Sequence, residues 1–279
     1  MPSTKAIVLN AAASVIAVGA VAGVVRTWIA PAALQPCSER YATSMAFPLE
    51  RDGTMVTAAD IQARTGGGDA SLLQNLHVGS LQGGPVPVAM SIDLPKDSGA
   101  PGSSLERKGG ISFPWAPRSL KDKVSVCLSY KVMLPEDFEF NRGGALPGLS
   151  GQDEQSGDGF LVRPTWAADG SVGMRSFSTL GGQKFKQQAD APGSAIPRGR
   201  WVSVEQEAVL NAPEQENGIL RIWIDGALAV DRSDLAYRVK PDVAVSTVAA
   251  DFFYDGDDVS GRSPRDARVW VSPFEVRWP

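Results

Sequence analysis

Val124-Ser125-Val126-Cys127-Leu128-Ser129-Tyr130-Lys131-Val132-Met133-Leu134 alternates with a period of two. Val124, Val126, Leu128, Tyr130, Val132 and Leu134 share one face; Ser125, Cys127, Ser129 and Lys131 share the other. Successive side chains of an extended chain point to opposite sides, so this pattern predicts a strand with one face in a core. The same period continues outward in both directions. Phe160 to Trp166 and Val172 to Leu180 are strands joined by the turn Asp169-Gly170, a hairpin signal. Trp201 to Leu210 carries Glu205 and Glu207 on one side. Gly218 to Asp225 aligns Leu220, Ile222 and Ile224, and Asp225-Gly226 turns the chain into Ala227 to Val230. Val243 to Tyr254 and Ala267 to Trp278 follow, the last with Phe274, Val276 and Trp278 opposite Glu275 and Arg277. Upstream, Pro87 to Leu94 is a short apolar strand ahead of a Gly/Ser/Pro-rich loop from Lys96 to Gly110. Short strands with turns roughly every ten residues predict an all-β sandwich of two antiparallel sheets.

The composition is globular, with 43% apolar and 21% charged residues. A net charge of -4 argues against nucleic acid as the main partner, because phosphate binding needs a basic face. The N-terminus is different in kind. Ala6 to Val25 holds no charge between Lys5 and Arg26, and is long enough to span a bilayer core. Its length favours a transmembrane anchor, whereas its Ala and Gly content and Ala30-Pro31-Ala32 favour a cleaved signal helix. Either reading exports the chain to the periplasm or the extracellular space and limits membrane contact to this segment. An uncleaved segment would anchor it in the inner membrane through residues 6–25. The expected organisation is residues 1–26 as anchor or signal peptide, 27–55 as a linker with Pro31, Pro36 and Pro48, and 56–279 as the folded domain. That domain opens on a short helix within Ala58 to Gln74. Cys37 and Cys127 either pair in an oxidising compartment or stay free. With one histidine, His77, and two cysteines, no structural zinc site is expected, nor any other metal or cofactor.

Three ordered stretches resemble the polysaccharide lyase family 14 domain. The first is Tyr130-Lys131-Val132-Met133-Leu134-Pro135-Glu136-Asp137-Phe138-Glu139-Phe140 with Gly143-Gly144-Ala145-Leu146-Pro147-Gly148-Leu149. The second is Arg198-Gly199-Arg200-Trp201 with Val204-Glu205-Gln206 and Leu210-Asn211. The third is Gly218-Ile219-Leu220-Arg221-Ile222-Trp223-Ile224-Asp225-Gly226 with Asp231-Arg232. The resemblance spans about residues 85 to 279. It implies a concanavalin-like jelly roll whose concave sheet holds an acidic polysaccharide, alginate or glucuronan, for β-elimination. That reaction needs a cation for the uronate carboxylate, a base for the C5 proton and an acid for the leaving oxygen. The family places a Lys in a Gly-Gly-Lys-Leu-Pro-Gly motif, a Ser-x-Arg pair and a Tyr-x-Tyr pair around the substrate. Here the Lys position is Ala145, the Ser-x-Arg pair is Leu161 and Arg163, and the Tyr-x-Tyr pair falls near Arg175 and Phe177.

The candidate groups follow from that comparison. Arg163, Arg175 and Arg142 are candidate substrate-binding cations, since guanidinium forks fit carboxylates. Tyr254 and His77 are candidate catalytic acid–base groups in place of the missing Lys and phenols. Lys184 and Lys186 read as solvated residues of a polar loop, and Trp166 and Trp223 as core. Asp255-Gly256-Asp257-Asp258 reads as a solvated acidic loop with oxygens that could suit Ca²⁺. The function expected is an extracytoplasmic, lyase-like domain acting on acidic polysaccharide with its usual catalytic residues largely replaced. The alternative is a non-catalytic glycan-binding envelope protein.

Overall fold

The computed structural model describes residues 34–65, 72–152, 155–256 and 259–279. The candidate anchor or signal segment lies outside the described residues, as does the Asp257-Asp258 pair. Among the described residues no helix is long and apolar enough to cross a membrane.

From the N-terminus the elements are α1 (Cys37–Arg40), β1 (Thr43–Ala46), β2 (Glu50–Arg51), β3 (Thr54–Met55), α2 (Ala58–Thr65), β4 (Leu76–Ser80), β5 (Val88–Leu94) and β6 (Pro114–Trp115). Next come β7 (Ser125–Met133), β8 (Gly144–Ala145), β9 (Gly148–Gln152), β10 (Gly159–Trp166), β11 (Ser171–Leu180), β12 (Gln183–Ala195) and β13 (Trp201–Val209). The chain closes with β14 (Gly218–Ile224), β15 (Ala227–Leu235), β16 (Thr247–Ala249), β17 (Phe253–Tyr254), β18 (Ala267–Val271) and β19 (Glu275–Trp278).

They form two large antiparallel sheets, with β2 and β3 as a separate two-stranded ladder. The first runs β15-β14-β13-β7-β18-β5-β4, with β19 also on β7 and β1 on β19. The second runs β12-β11-β10-β9-β16-β6, with β8 on β10 and β17 on β8. The alternation of β7 sets the core: Val126, Leu128, Tyr130 and Val132 are buried, while Lys131 on the outer side is exposed. Each aliphatic side chain so buried contributes about 1.5–3 kcal/mol. From the second sheet Leu149, Val162, Val172, Met174 and Val248 join the same cluster. Gln206 points inward from β13 and its Nε2 donates to the Val162 carbonyl across the two layers at 3.0 Å. The turn Asp225-Gly226 has positive φ at both residues, 49° and 78°, as a two-residue hairpin requires.

The expected linker is folded from Cys37 onward. Cys37 and Cys127 form a disulfide with an S–S distance of 2.07 Å, which resolves the open alternative in favour of pairing. Arg40 then reaches the buried Glu207 carboxylate at 2.8 Å, and Tyr41 Oη donates to it at 2.6 Å. Thr43–Ala46 pairs with Glu275–Trp278 at the sheet edge. Proline-rich composition concealed this, because the segment is held by a cross-link and a buried charge rather than by its own apolar pattern. The expected strand Val243 to Tyr254 is also broken, with β16 and β17 on different neighbours.

Candidate functional site

The groove residues are set by parity on β10 and β11. Phe160, Val162 and Trp166, with Val172 and Met174, belong to the core. Leu161, Arg163 and Thr165, with Gly173, Arg175, Phe177 and Thr179, therefore face outward. Antiparallel register lines these into rows across the strands. Thr247, Ser150, Leu161, Phe177 and Lys186 form one row. Arg163 stands opposite Arg175, which stands opposite Gln188, in the next. Gly148 lets the backbone approach here, since a Cβ on it would lie 2.4 Å from the Cβ of Arg163 and 2.4 Å from the Val162 carbonyl oxygen. The first row lines a groove of about 940 Å³ with Lys184, Phe185 and Asp251, and the arginine row stands alongside it.

Both expected arginines meet on this face, and both already have carboxylate partners. Arg163 is 8% exposed, and its Nη1 donates to Asp251 Oδ2 at 2.6 Å. Ser112 Oγ donates to the other oxygen of Asp251 at 2.7 Å. The Arg163 guanidinium lies 5.2 Å from the Phe253 ring centre and 5.8 Å from that of Phe177. Arg175 pairs with Asp255. Burial, and then the charge of Arg163, pull the Arg175 pKa below the ordinary arginine value, with Asp190 acting in the opposite direction. Removing one partner of a buried pair such as Arg163–Asp251 costs about 3–5 kcal/mol, because the other charge is stranded.

The polysaccharide lyase 14 profile matches residues 85–274. The chain belongs to the polysaccharide lyase 14 family. Its fold is the expected jelly-roll sandwich, shared with solved structures of low sequence identity. An alginate lyase from Aplysia kurodai superposes with a TM-score of 0.68 at 16% identity, covering 86% of this chain and 99% of that one. An alginate lyase from Chlorella virus gives 0.62 at 17% identity, covering 75% and 91%. An endo-β-1,4-glucuronan lyase from Trichoderma reesei gives 0.58 at 12% identity, covering 76% and 91%. No curated protein sequence matches the chain.

Ala145, which the sequence resemblance sets at the lysine position, is 1% exposed and packs with Ala100 and Phe253, so apolar side chains close that corner. The remaining catalytic candidates are not brought to the groove, which corrects both expectations. Tyr254 follows outward-facing Phe253 and therefore turns inward. It stacks on Phe138 at 5.6 Å, and its hydroxyl donates to the Glu139 carbonyl at 2.5 Å. Burial pushes its pKa far above the ordinary phenol value. His77 lies on β4 in the other sheet, 3.2 Å from Asp93. The chain has four tyrosines and one histidine, and the other three tyrosines are equally committed. Tyr41 donates to Glu207, Tyr130 to the Pro147 carbonyl and Tyr237 to the Ile219 carbonyl. Arg142 is exposed and donates to Ser260 Oγ rather than lining the groove.

Two groove residues depart from the loop expected from sequence. Lys184 and Lys186 belong to β12, a strand rather than a loop, and both line the groove. As an edge strand exposed along most of its length, β12 carries no apolar alternation to announce it. The one available signal was Gly181-Gly182, a turn after the β11 pattern; both have positive φ.

Proposed function

We propose that this chain holds a polysaccharide across the outer face of the β9–β12 sheet without cleaving it by the family's usual β-elimination. The observation that carries the reading is the placement of every phenol and imidazole in the chain away from the groove. A proton-transfer group must come within about 2.6–3.2 Å of its target and contributes roughly 10²–10⁴-fold. By the family resemblance Ala145 and Leu161 take the Lys and Ser positions and the Tyr-x-Tyr pair falls near Arg175 and Phe177; the side chains of Ala145, Leu161 and Phe177 cannot carry a proton. What the groove retains suits binding: Phe177 and Phe185 for sugar faces, Ser150, Thr179, Ser246 and Thr247 for hydroxyls, and two lysines at the rim.

The test is to incubate the purified chain with alginate, polyglucuronate and neutral polymers, following ultraviolet absorbance of unsaturated ends beside affinity electrophoresis. Retardation with flat absorbance is the expected result. A steady rise in absorbance with any polymer refutes it and favours a second reading, a lyase whose proton chemistry has moved to Lys184 or Lys186, the amines that line the groove. In that case Lys184→Ala or Lys186→Ala would abolish the rise.

Export belongs to the same proposal. The apolar run over residues 6–25, as anchor or signal, delivers the domain to an oxidising compartment, and the Cys37–Cys127 disulfide supports that destination. Alkylation of unreduced protein from cell fractions would show two free thiols if the chain stays in the cytoplasm.

A further inference from the structure

Recognition of a polyuronate needs cations whose charge is still available. In the centre of this face it is not. Arg163 is held by Asp251, and Arg175 by Asp255. Asp251 itself lines the groove and is exposed to the same small extent as Arg163, so a sugar carboxylate laid there would meet a carboxylate together with the guanidinium it neutralises. The rings of Phe177 and Phe253 flank Arg163, and Ala145 with Ala100 completes an apolar corner. Next to this quenched centre, the row Thr247, Ser150, Leu161 and Phe177 offers hydroxyls and a ring face, with no charge until Lys186 at its β12 end. Cations without an ion pair, among the described groove-lining residues, are Lys184 and Lys186 at the β12 rim. Lys186 sits 5.6 Å over the Phe177 ring.

We propose that the groove selects a glycan with uncharged sugars at its centre, tolerating anionic substituents at the Lys184/Lys186 rim alone. This rests on the polysaccharide-binding reading above and departs from the acidic polymer that the family resemblance implies. The Arg163–Asp251 pair is then a specificity element: it turns what would be a carboxylate fork into a neutral floor whose polar atoms face hydroxyls.

Affinity electrophoresis and competition of the full chain provide the test. The probes are hydroxyethyl cellulose, laminarin and glucomannan as neutral polymers, and alginate and polyglucuronate as acidic ones. At least one neutral polymer is expected to bind five-fold or more tighter than either polyuronate, with less than two-fold change between 50 and 500 mM salt. Asp251→Asn, which frees the Arg163 charge, is expected to raise polyuronate affinity at least five-fold and leave neutral binding within two-fold. The wild-type competition does not depend on that variant folding. Tighter, salt-sensitive binding of alginate or polyglucuronate by the wild type overturns this proposal and leaves the binding reading intact. So does a folded Asp251→Asn protein with no gain for polyuronate. Binding to none of the five polymers refutes the binding reading and this proposal with it.

Discussion

Replacing Cys37 and Cys127 by Ala removes a cross-link between residues 90 positions apart. Loop-closure entropy for that separation corresponds to about 4–5 kcal/mol near room temperature in the chain-entropy account. The local structure works in the same direction. Cys37 begins α1, whose Arg40 lies 2.8 Å from Glu207, and the next residue, Tyr41, donates to the same carboxylate. Without the cross-link this arm can leave the sheet, and Glu207, 1% exposed, would keep Arg221 at 3.1 Å as its remaining ion-pair partner. Thermal unfolding followed by tryptophan fluorescence, on the variant and on the wild type with and without reductant, measures the loss. The expected change in melting temperature is a fall of roughly 8–20 °C, at about 2–4 °C per kcal/mol for a domain of this size. If full reduction, verified by thiol titration, leaves the midpoint where it was, the arm is not held by the disulfide and this reasoning fails.

Two further outcomes follow from buried groups. Burial pushes the Glu207 pKa up, but hydrogen bonds from Arg40, Tyr41 and Arg221 outweigh it and hold the carboxyl below the ordinary value. A depressed folded pKa contributes stability that is complete above the unfolded value, near 4.3–4.5, and is lost as pH falls through the folded one. Glu207→Gln should therefore flatten the decline in stability below about pH 4.5, and an unchanged acid slope in urea titrations would argue against this role. Tyr254→Phe removes the hydroxyl that satisfies the Glu139 carbonyl and should cost about 1–3 kcal/mol of stability. Polymer retardation should stay within two-fold; a selective loss of binding would place Tyr254 in the groove after all.

The sandwich was legible because its central strands bury one face each. Val126, Leu128 and Val132 on β7 and Leu220 and Ile222 on β14 announce that parity in the chain itself, and Asp225-Gly226 marks its hairpin with the conformation it adopts. The outward positions were legible for the same reason, since Leu161, Arg163, Arg175 and Phe177 take the opposite parity. What the residues could not announce were partners distant in the chain. Asp251 is 88 positions from Arg163, and nothing local to either marks the bond between them. Tyr254 misses the outer face by one residue of register: Phe253 occupies the outward position and leaves the phenol inside. Arm and edge strand escaped notice together, because neither has an apolar period of its own.

The edge strand β12 has a bearing on how the molecule keeps apart from its own copies. Its sheet ends there with thirteen residues, Gln183–Ala195, and a row of backbone donors and acceptors on the free side. Such an edge is a template for another strand. Here a second copy aligning on it would have to accommodate Lys184, Lys186 and Asp190, and further along would meet Pro192, which has no N–H to give. The polar composition that hid this strand from a reading of periodicity therefore also discourages sheet-to-sheet assembly, and leaves the rim of the groove open to a ligand that is not another protein chain.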